Sequence, residues 1–235
     1  ATGLSNTSQA STIAKPTGAG VYNYTVTISD VNGCHASASH ALTVDATPVA
    51  TITANGATTF CTGDSVQLYA APGSGYSYEW MKDGNPIAGA TAVNYTATDS
   101  GNYSVLVSTA NCSLSSGPIH VAVNPYPVAN IFAVRDTSFC VGIGCIMVAS
   151  TGNNYSYQWL ENGNQIVGAT SVSYTMQDSG YFQAVVSANG CSAYSNIIGT
   201  HVYPYPPDTL FTGSSTTFCT GDSVLLYANT GTGLT

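Results

Sequence analysis

Apolar and polar residues alternate along much of this chain. Tyr22, Tyr24, Val26 and Ile28 are interleaved with Asn23, Thr25 and Thr27, the period-two pattern of a half-buried strand. The same alternation places Val66, Leu68 and Ala70 on one face, with Gln67 and Tyr69 on the other. It continues through Tyr76, Tyr78 and Trp80, then Val93 and Tyr95, then Val105 and Val107. Further short strands are predicted over residues 41–44, 49–54 and 119–123. Turn residues separate them: Asn32 Gly33 ahead of Cys34, a turn over residues 60–65 containing Gly63 and Asp64, and Asp83 Gly84 Asn85 Pro86. Every predicted element is a short strand, so the fold class is all-β.

The pattern repeats. Phe60 Cys61 Thr62 Gly63 Asp64 Ser65 Val66 returns as Phe218 Cys219 Thr220 Gly221 Asp222 Ser223 Val224 and, altered, as Phe139 Cys140 Val141 Gly142 Ile143 Gly144 Cys145. The three leading cysteines are 79 residues apart, and Cys34, Cys112 and Cys191 keep nearly the same interval. Two cysteine marks per period define a repeat array. The reading is residues 1–45 as the back half of a repeat, 47–124 and 126–203 as complete repeats, and 205–235 as the front half of another. In the second complete repeat Trp159, Tyr174 and Gly180 stand for Trp80, Tyr95 and Gly101. The joins contain Thr47 Pro48, Pro125 Tyr126 Pro127 and Pro204 Tyr205 Pro206 Pro207, and proline favours extended, semi-rigid spacing, which predicts a rod. In the cysteine register Thr235 falls at position 77 of the complete repeat and Ala1 at position 79. The two halves together therefore make one further repeat, completed by the next segment or subunit.

Composition narrows the function. Only 6% of residues are charged, while 44% are hydrophobic and 10% aromatic, which argues for a folded chain over a disordered one. Three Lys and Arg against eleven Asp and Glu give a net charge of −8. Such a chain offers no basic stripe for nucleic acid or for an anionic membrane. No apolar run approaches the length of a membrane-spanning helix.

The cysteines point to an oxidising compartment if they pair by period. The equal 51-residue separations suggest Cys61 with Cys112 and Cys140 with Cys191, leaving Cys219 for the Cys34 of the next segment. In the chain-entropy model each such loop contributes roughly 4 kcal/mol. Zinc is the rival reading, but there is no CxxC pair, and His35, His40, His120 and His201 fall out of register with the period. The seventh cysteine, Cys145, takes the place of inward-facing Val66 and reads as a buried thiol.

Trp80 on the third strand, with Asp99, Gly101 and Tyr103 near the sixth, resembles an immunoglobulin-like sandwich. There the Trp packs between sheets and the Tyr hydroxyl caps a corner. Ala70 and Val105 stand where the usual inter-sheet cysteines would be. The cysteine turns and the Asn Gly Cys Ser stretch at 189–192 together resemble the Ig-like repeats of very long secreted Bacteroidota surface proteins, of adhesin or gliding-associated type. The resemblance spans the chain and implies tandem immunoglobulin-like β-sandwiches in a linear array, extracellular or at the cell surface. It also implies that Asp64 Ser65 Val66, Asp222 Ser223 Val224 and Asp208 Thr209 Leu210 match an O-glycosylation acceptor, although turn plus strand start is the better explanation of them. In the second complete repeat Phe182 replaces the corner Tyr, while Ile143 and Gly144 replace Asp64 and Ser65.

No catalytic, cofactor-binding or metal-ligating spacing is found. Asp64, Asp99, Asp178 and Asp222 sit in turns that repeat, so turn formation accounts for them. The tyrosines on predicted core faces read as packing. The outward positions Gln67 and Tyr69 become Ile146 and Val148 in the next repeat, and Leu225 and Tyr227 in the last. Outward apolar residues suggest a cover, and packing between repeats is the expectation. The function this supports is a non-catalytic extracellular stalk or filament whose partners are copies of itself or adjacent repeats. The alternative is an adhesin array gripping glycan or protein ligands through its loops.

Overall fold

The computed structural model describes residues 3–5, 7–206 and 208–228. The register positions of Ala1 and Thr235, and the join residue Pro207, lie outside the described residues. Among the described residues every regular element is a strand, and no helix is long and apolar enough to cross a membrane. The chain divides into two compact units, residues 1–124 and 125–235.

The first unit holds β1 (Gly20–Ser29), β2 (His35–Val44), β3 (Ile52–Ala54), β4 (Thr59–Cys61), β5 (Val66–Ala70), β6 (Ser77–Lys82), β7 (Asn85–Pro86), β8 (Asn94–Ala97), β9 (Gly101–Ser108), β10 (Ser113–Ser115) and β11 (Ile119–Asn124). A three-stranded sheet, β3-β5-β8, packs on a second sheet ordered β4-β11-β9-β6-β7, with β10 also on β9. The alternation read from sequence is the inward set. Val66, Leu68 and Ala70 of β5 meet Trp80, Tyr103, Val105, Val107 and Val121, all buried. Trp80 satisfies its only polar atom by donating Nε1–H to the Ala92 carbonyl at 2.9 Å, as a buried indole must. Asp83 and Gly84 both have positive φ, 52° and 80°, the geometry that closes a two-residue hairpin in register with strand twist. β1 and β2 form a separate two-stranded sheet.

The second unit repeats the plan with β12 (Ile131–Ala133), β13 (Ser138–Cys140), β14 (Cys145–Ala149), β15 (Ser156–Glu161), β16 (Asn164–Gln165), β17 (Ser173–Met176), β18 (Gly180–Ala188), β19 (Cys191–Tyr194) and β20 (Ile198–Tyr203). Its sheets are β12-β14-β17 and β13-β20-β18-β15-β16, with β19 on β18. Trp159, Met147, Met176, Phe182, Ala184 and Cys145 are buried between them. A two-stranded sheet of β21 (Leu210–Thr212) and β22 (Leu226–Ala228) follows.

Phe60 and Cys61 are expected as part of a turn but belong to strand β4, paired in parallel with β11 so that Cys61 lies opposite Asn124. The turn itself begins at Cys61, whose carbonyl accepts from Asp64 N–H at 3.0 Å, with Gly63 at φ 99°. The same closure occurs from Ile143 to Cys140 at 3.1 Å and from Asp222 to Cys219 at 3.0 Å. Ile143 shows that the Asp carboxylate is dispensable, because the main chain and a glycine at positive φ make this turn.

Candidate functional site

The features that set this chain apart from a plain pair of sandwiches are its two separate two-stranded sheets, β1-β2 and β21-β22. β1 starts at Gly20 as β9 starts at Gly101, and Tyr22 donates its hydroxyl to Gly18 O at 2.9 Å, just as Tyr103 donates to Asp99 O at 2.9 Å. Tyr24, Val26 and Ile28 then continue the inward face. In the complete repeats that face is closed: Val105 and Val107 are 0% exposed. Here Val26 is 58% exposed and Ile28 66%. A hairpin turn follows in both, one residue longer here: Asp30 N–H donates to Cys34 O at 3.0 Å, Thr109 N–H to Cys112 O at 2.8 Å.

The β21–β22 sheet shows a similar pattern. Leu226 matches Leu68 and Met147, which are fully buried, yet it is 52% exposed. Phe218, matching buried Phe139, is likewise exposed. Among the described residues, Val26, Ile28, Leu226 and Phe218 thus keep at least half of their surface exposed, with Leu4, Thr7, Gln9 and Thr12 lining a cavity beside Tyr24 and Val26.

The cysteines are arranged differently from the expected pairing. Cys61 and Cys191 are disulfide-bonded, whereas Cys34, Cys112, Cys140, Cys145 and Cys219 are free. Neither Cys61–Cys112 nor Cys140–Cys191 is formed, and strand register gives the reason. Cys61 is level with Asn124 at the trailing end of β11, beyond the Val121–Gly101 pair. Cys112 is beyond the far end of β9, where Ser113 pairs with Ser108. Along the strands this separates them by roughly 30 Å, against about 7 Å between the Cα atoms of a disulfide. Cys140, level with Tyr203, and Cys191, level with Ala188, are at opposite poles in the same way. Equal spacing in sequence reported two poles of one domain, not one staple.

Cys145 is 0% exposed in the second core, with Sγ 3.8 Å from Arg135 O. The outward positions also lie where the alternation puts them. Ile146 is exposed and Val148 half-buried. Val148 pairs with exposed Phe132, and Val134 N–H donates to Ile146 O at 2.9 Å. An apolar strip of Phe132, Val134, Ile146 and Val148 results. Leu225, Tyr227 and Phe211 are exposed on the half-repeat, where Phe211 pairs with Tyr227.

Sequence reasoning missed the serine of the corner, although Asp99 Ser100 Gly101 and Asp178 Ser179 Gly180 display it twice. Val123 N–H donates to Ser100 Oγ at 2.8 Å and Val202 N–H to Ser179 Oγ at 2.8 Å, tying the last strand to the corner. It also missed Asp30. This carboxylate accepts from Asn32 N–H at 2.9 Å and Cys34 N–H at 2.8 Å. The Cys34 amide bond is the leading reason that its pKa is below the ordinary value. Burial is the first cause of the upward shift at Tyr103.

Two packed, mostly antiparallel sheets, an indole between them and a tyrosine corner define immunoglobulin-like β-sandwiches. No family model matches the chain, and no curated protein matches it. Among solved structures it is similar to murine CEACAM1b at 15% identity, with 66% of this chain and 100% of that one covered and a TM-score of 0.39. A mouse coronavirus receptor-binding domain complexed with its murine receptor is matched at 14% identity over 65% of this chain and 100% of that one, TM-score 0.42. An I-band fragment of titin is matched at 12% identity over 70% and 78%, TM-score 0.40.

Proposed function

We propose that this chain forms part of an extracellular, non-catalytic filament or stalk in which the β21–β22 half of one copy closes on the β1–β2 half of a second copy. The observation that carries the reading is the match between open and closed faces. Val26 and Leu226 are exposed at positions where Val107 and Leu68 are 0% exposed. Fully burying a Val, Leu or Ile side chain stabilises by about 1.5–3 kcal/mol, so covering Val26, Ile28 and Leu226 supplies several kcal/mol. Head-to-tail closure of this kind joins two different surfaces, so it propagates into a fibre where the rotation between copies does not close a ring. The presence of disulfide-bonded Cys61 and Cys191 suits an oxidising compartment. The Phe132, Val134, Ile146 and Val148 strip is assigned to lateral packing between neighbouring copies.

Electron microscopy of the full chain, with Val26→Asn/Ile28→Asn as control, tests the reading. Regular filaments from the native chain, and dispersed particles with unchanged β-sheet circular dichroism from the variant, are expected. Dispersed particles from both would overturn it. Filaments whose denatured intact mass is a multiple of the chain mass after reduction would show adjoining lengths of one continuous polypeptide instead of separate copies.

A further inference from the structure

The pole geometry raises a question about the four exposed or half-buried free cysteines. When the split repeat closes, Cys219 and Cys34 occupy the places of Cys61 and Cys112, and the same separation along the strands keeps them from each other. They cannot staple the repeat they help to build. Their nearest partners are set by the chain on either side.

Asp45 follows the last residue of β2. The stretch Val44 Asp45 Ala46 Thr47 Pro48 aligns with Val123 Asn124 Pro125 Tyr126 Pro127, so Asp45 holds the place of Asn124. Asn124 is the register partner of Cys61, and Asp45 is accordingly the register partner of Cys219 once the front half docks. Parallel partners lie about 5 Å apart. Cys112 is already waiting there: its Sγ is 3.9 Å from Asp45 O, and Asn111 Nδ2 donates to Asp45 Oδ2 at 2.6 Å. The hairpin of the 47–124 repeat therefore clasps the position at which a docked Cys219 arrives. At the other end of the split repeat, Cys140 is the register partner of Tyr203, which holds the place of Asp45 in its own repeat. The hairpin arriving beside it is the one that carries Cys34, whose carbonyl closes the turn by accepting from Asp30 N–H, as the Cys112 carbonyl accepts from Thr109 N–H in a turn one residue shorter.

From this we infer that each joint between copies is locked by two disulfides, Cys219 of one copy with Cys112 of the next, and Cys140 of the first with Cys34 of the next. The inference rests on closure of the split repeat between copies. Each bond joins two Sγ atoms with loss of two protons and two electrons. An external disulfide of the glutathione type accepts both and leaves as two thiols. The lock is thus made after docking, and each repeat hands its covalent tie to its neighbour instead of closing on itself.

The test uses the full chain, purified reduced, assembled with and without oxidised glutathione, then blocked with an alkylating agent and mapped by mass spectrometry. Filaments are expected in both samples. A ladder of covalent oligomers is expected only after oxidation, with linked peptides containing Cys219 and Cys112, and Cys140 and Cys34. Cys112→Ser removes the first link and keeps the second, Cys34→Ser does the reverse, and the double variant loses the ladder while still forming filaments. Filaments with Cys219 linked to Cys34, or with all four thiols alkylated after oxidation, would overturn the lock and leave the split-repeat reading standing. Absence of association in either sample would overturn both.

Discussion

The hydroxyl of Thr200 donates to the main-chain carbonyl of Asp178 at 2.7 Å, replacing a bond that Tyr103 makes to Asp99 in the other complete repeat. Phe182 occupies the corner Tyr position without a hydroxyl, and Thr200 occupies the place of Val121, so donor and apolar partner have exchanged sides of the core. Asp178 is exposed, so losing this hydrogen bond costs about 0.5–1.5 kcal/mol. Thr200→Val should therefore lower the second unit's stability by about that amount. Val121→Thr should lower that of the first, which already has its donor. Phe182→Tyr added to Thr200→Val should recover most of the loss. Chemical denaturation of the four chains checks this, and additive losses in the double variant would show that the two sites are not coupled.

That exchange shows where the sequence was legible and where it was not. Period-two alternation located nearly every core strand, because a residue's face follows from parity alone. Trp80, Tyr103 and the Asp83 Gly84 turn were legible because each has a strong local reason for its conformation. The cysteine pairing was not, since equal separation in sequence does not tell whether two turns lie at one pole or at two. Only the parallel β4–β11 register, a non-local contact between Cys61 and Asn124, decides that. Thr200 escaped notice for a similar reason, because its partner Asp178 lies on another strand connection.

Cys145 fills the site of Val66 at 0% exposure. Its thiol faces Arg135 O at 3.8 Å, a weak interaction, so its contribution is volume and burial. Cys145→Val is nearly volume-conserving and should change stability by less than about 1.5 kcal/mol. Native-state alkylation should label the exposed Cys34 and Cys219 well before Cys145. Equal labelling rates, measured by mass spectrometry over time, would contradict the packing described.

The proposed lateral contact makes a separate demand. Ile146→Ser with Val148→Ser removes outward apolar surface from β14 while Cys145, Met147 and Ala149 keep the core. Filaments of this variant should remain but separate into thinner strands, with the monomer's thermal transition within a few degrees of the native chain. Unchanged filament width in electron micrographs would remove this face from the assembly.

Acid should act first on the hairpin turn that presents Cys34. Asp30 accepts two amide hydrogens there, from Asn32 and Cys34, and its pKa is depressed chiefly by the Cys34 amide. The folded-state pKa is lower than that of the open chain, so the turn gains its carboxylate stabilisation above the ordinary Asp value and loses it as pH falls through the depressed one. Amide exchange at Cys34 should accordingly quicken, relative to the intrinsic rate at each pH, on acidification through that window. The Cys112 hairpin should not follow, because its amide donates to Thr109 Oγ1 at 3.2 Å, a hydroxyl that does not titrate. Asp30→Asn retains an acceptor but removes the titration, so its protection should be flat with pH. Protection that falls equally in the native chain and in Asp30→Asn would assign the loss to general acid unfolding and not to this carboxylate.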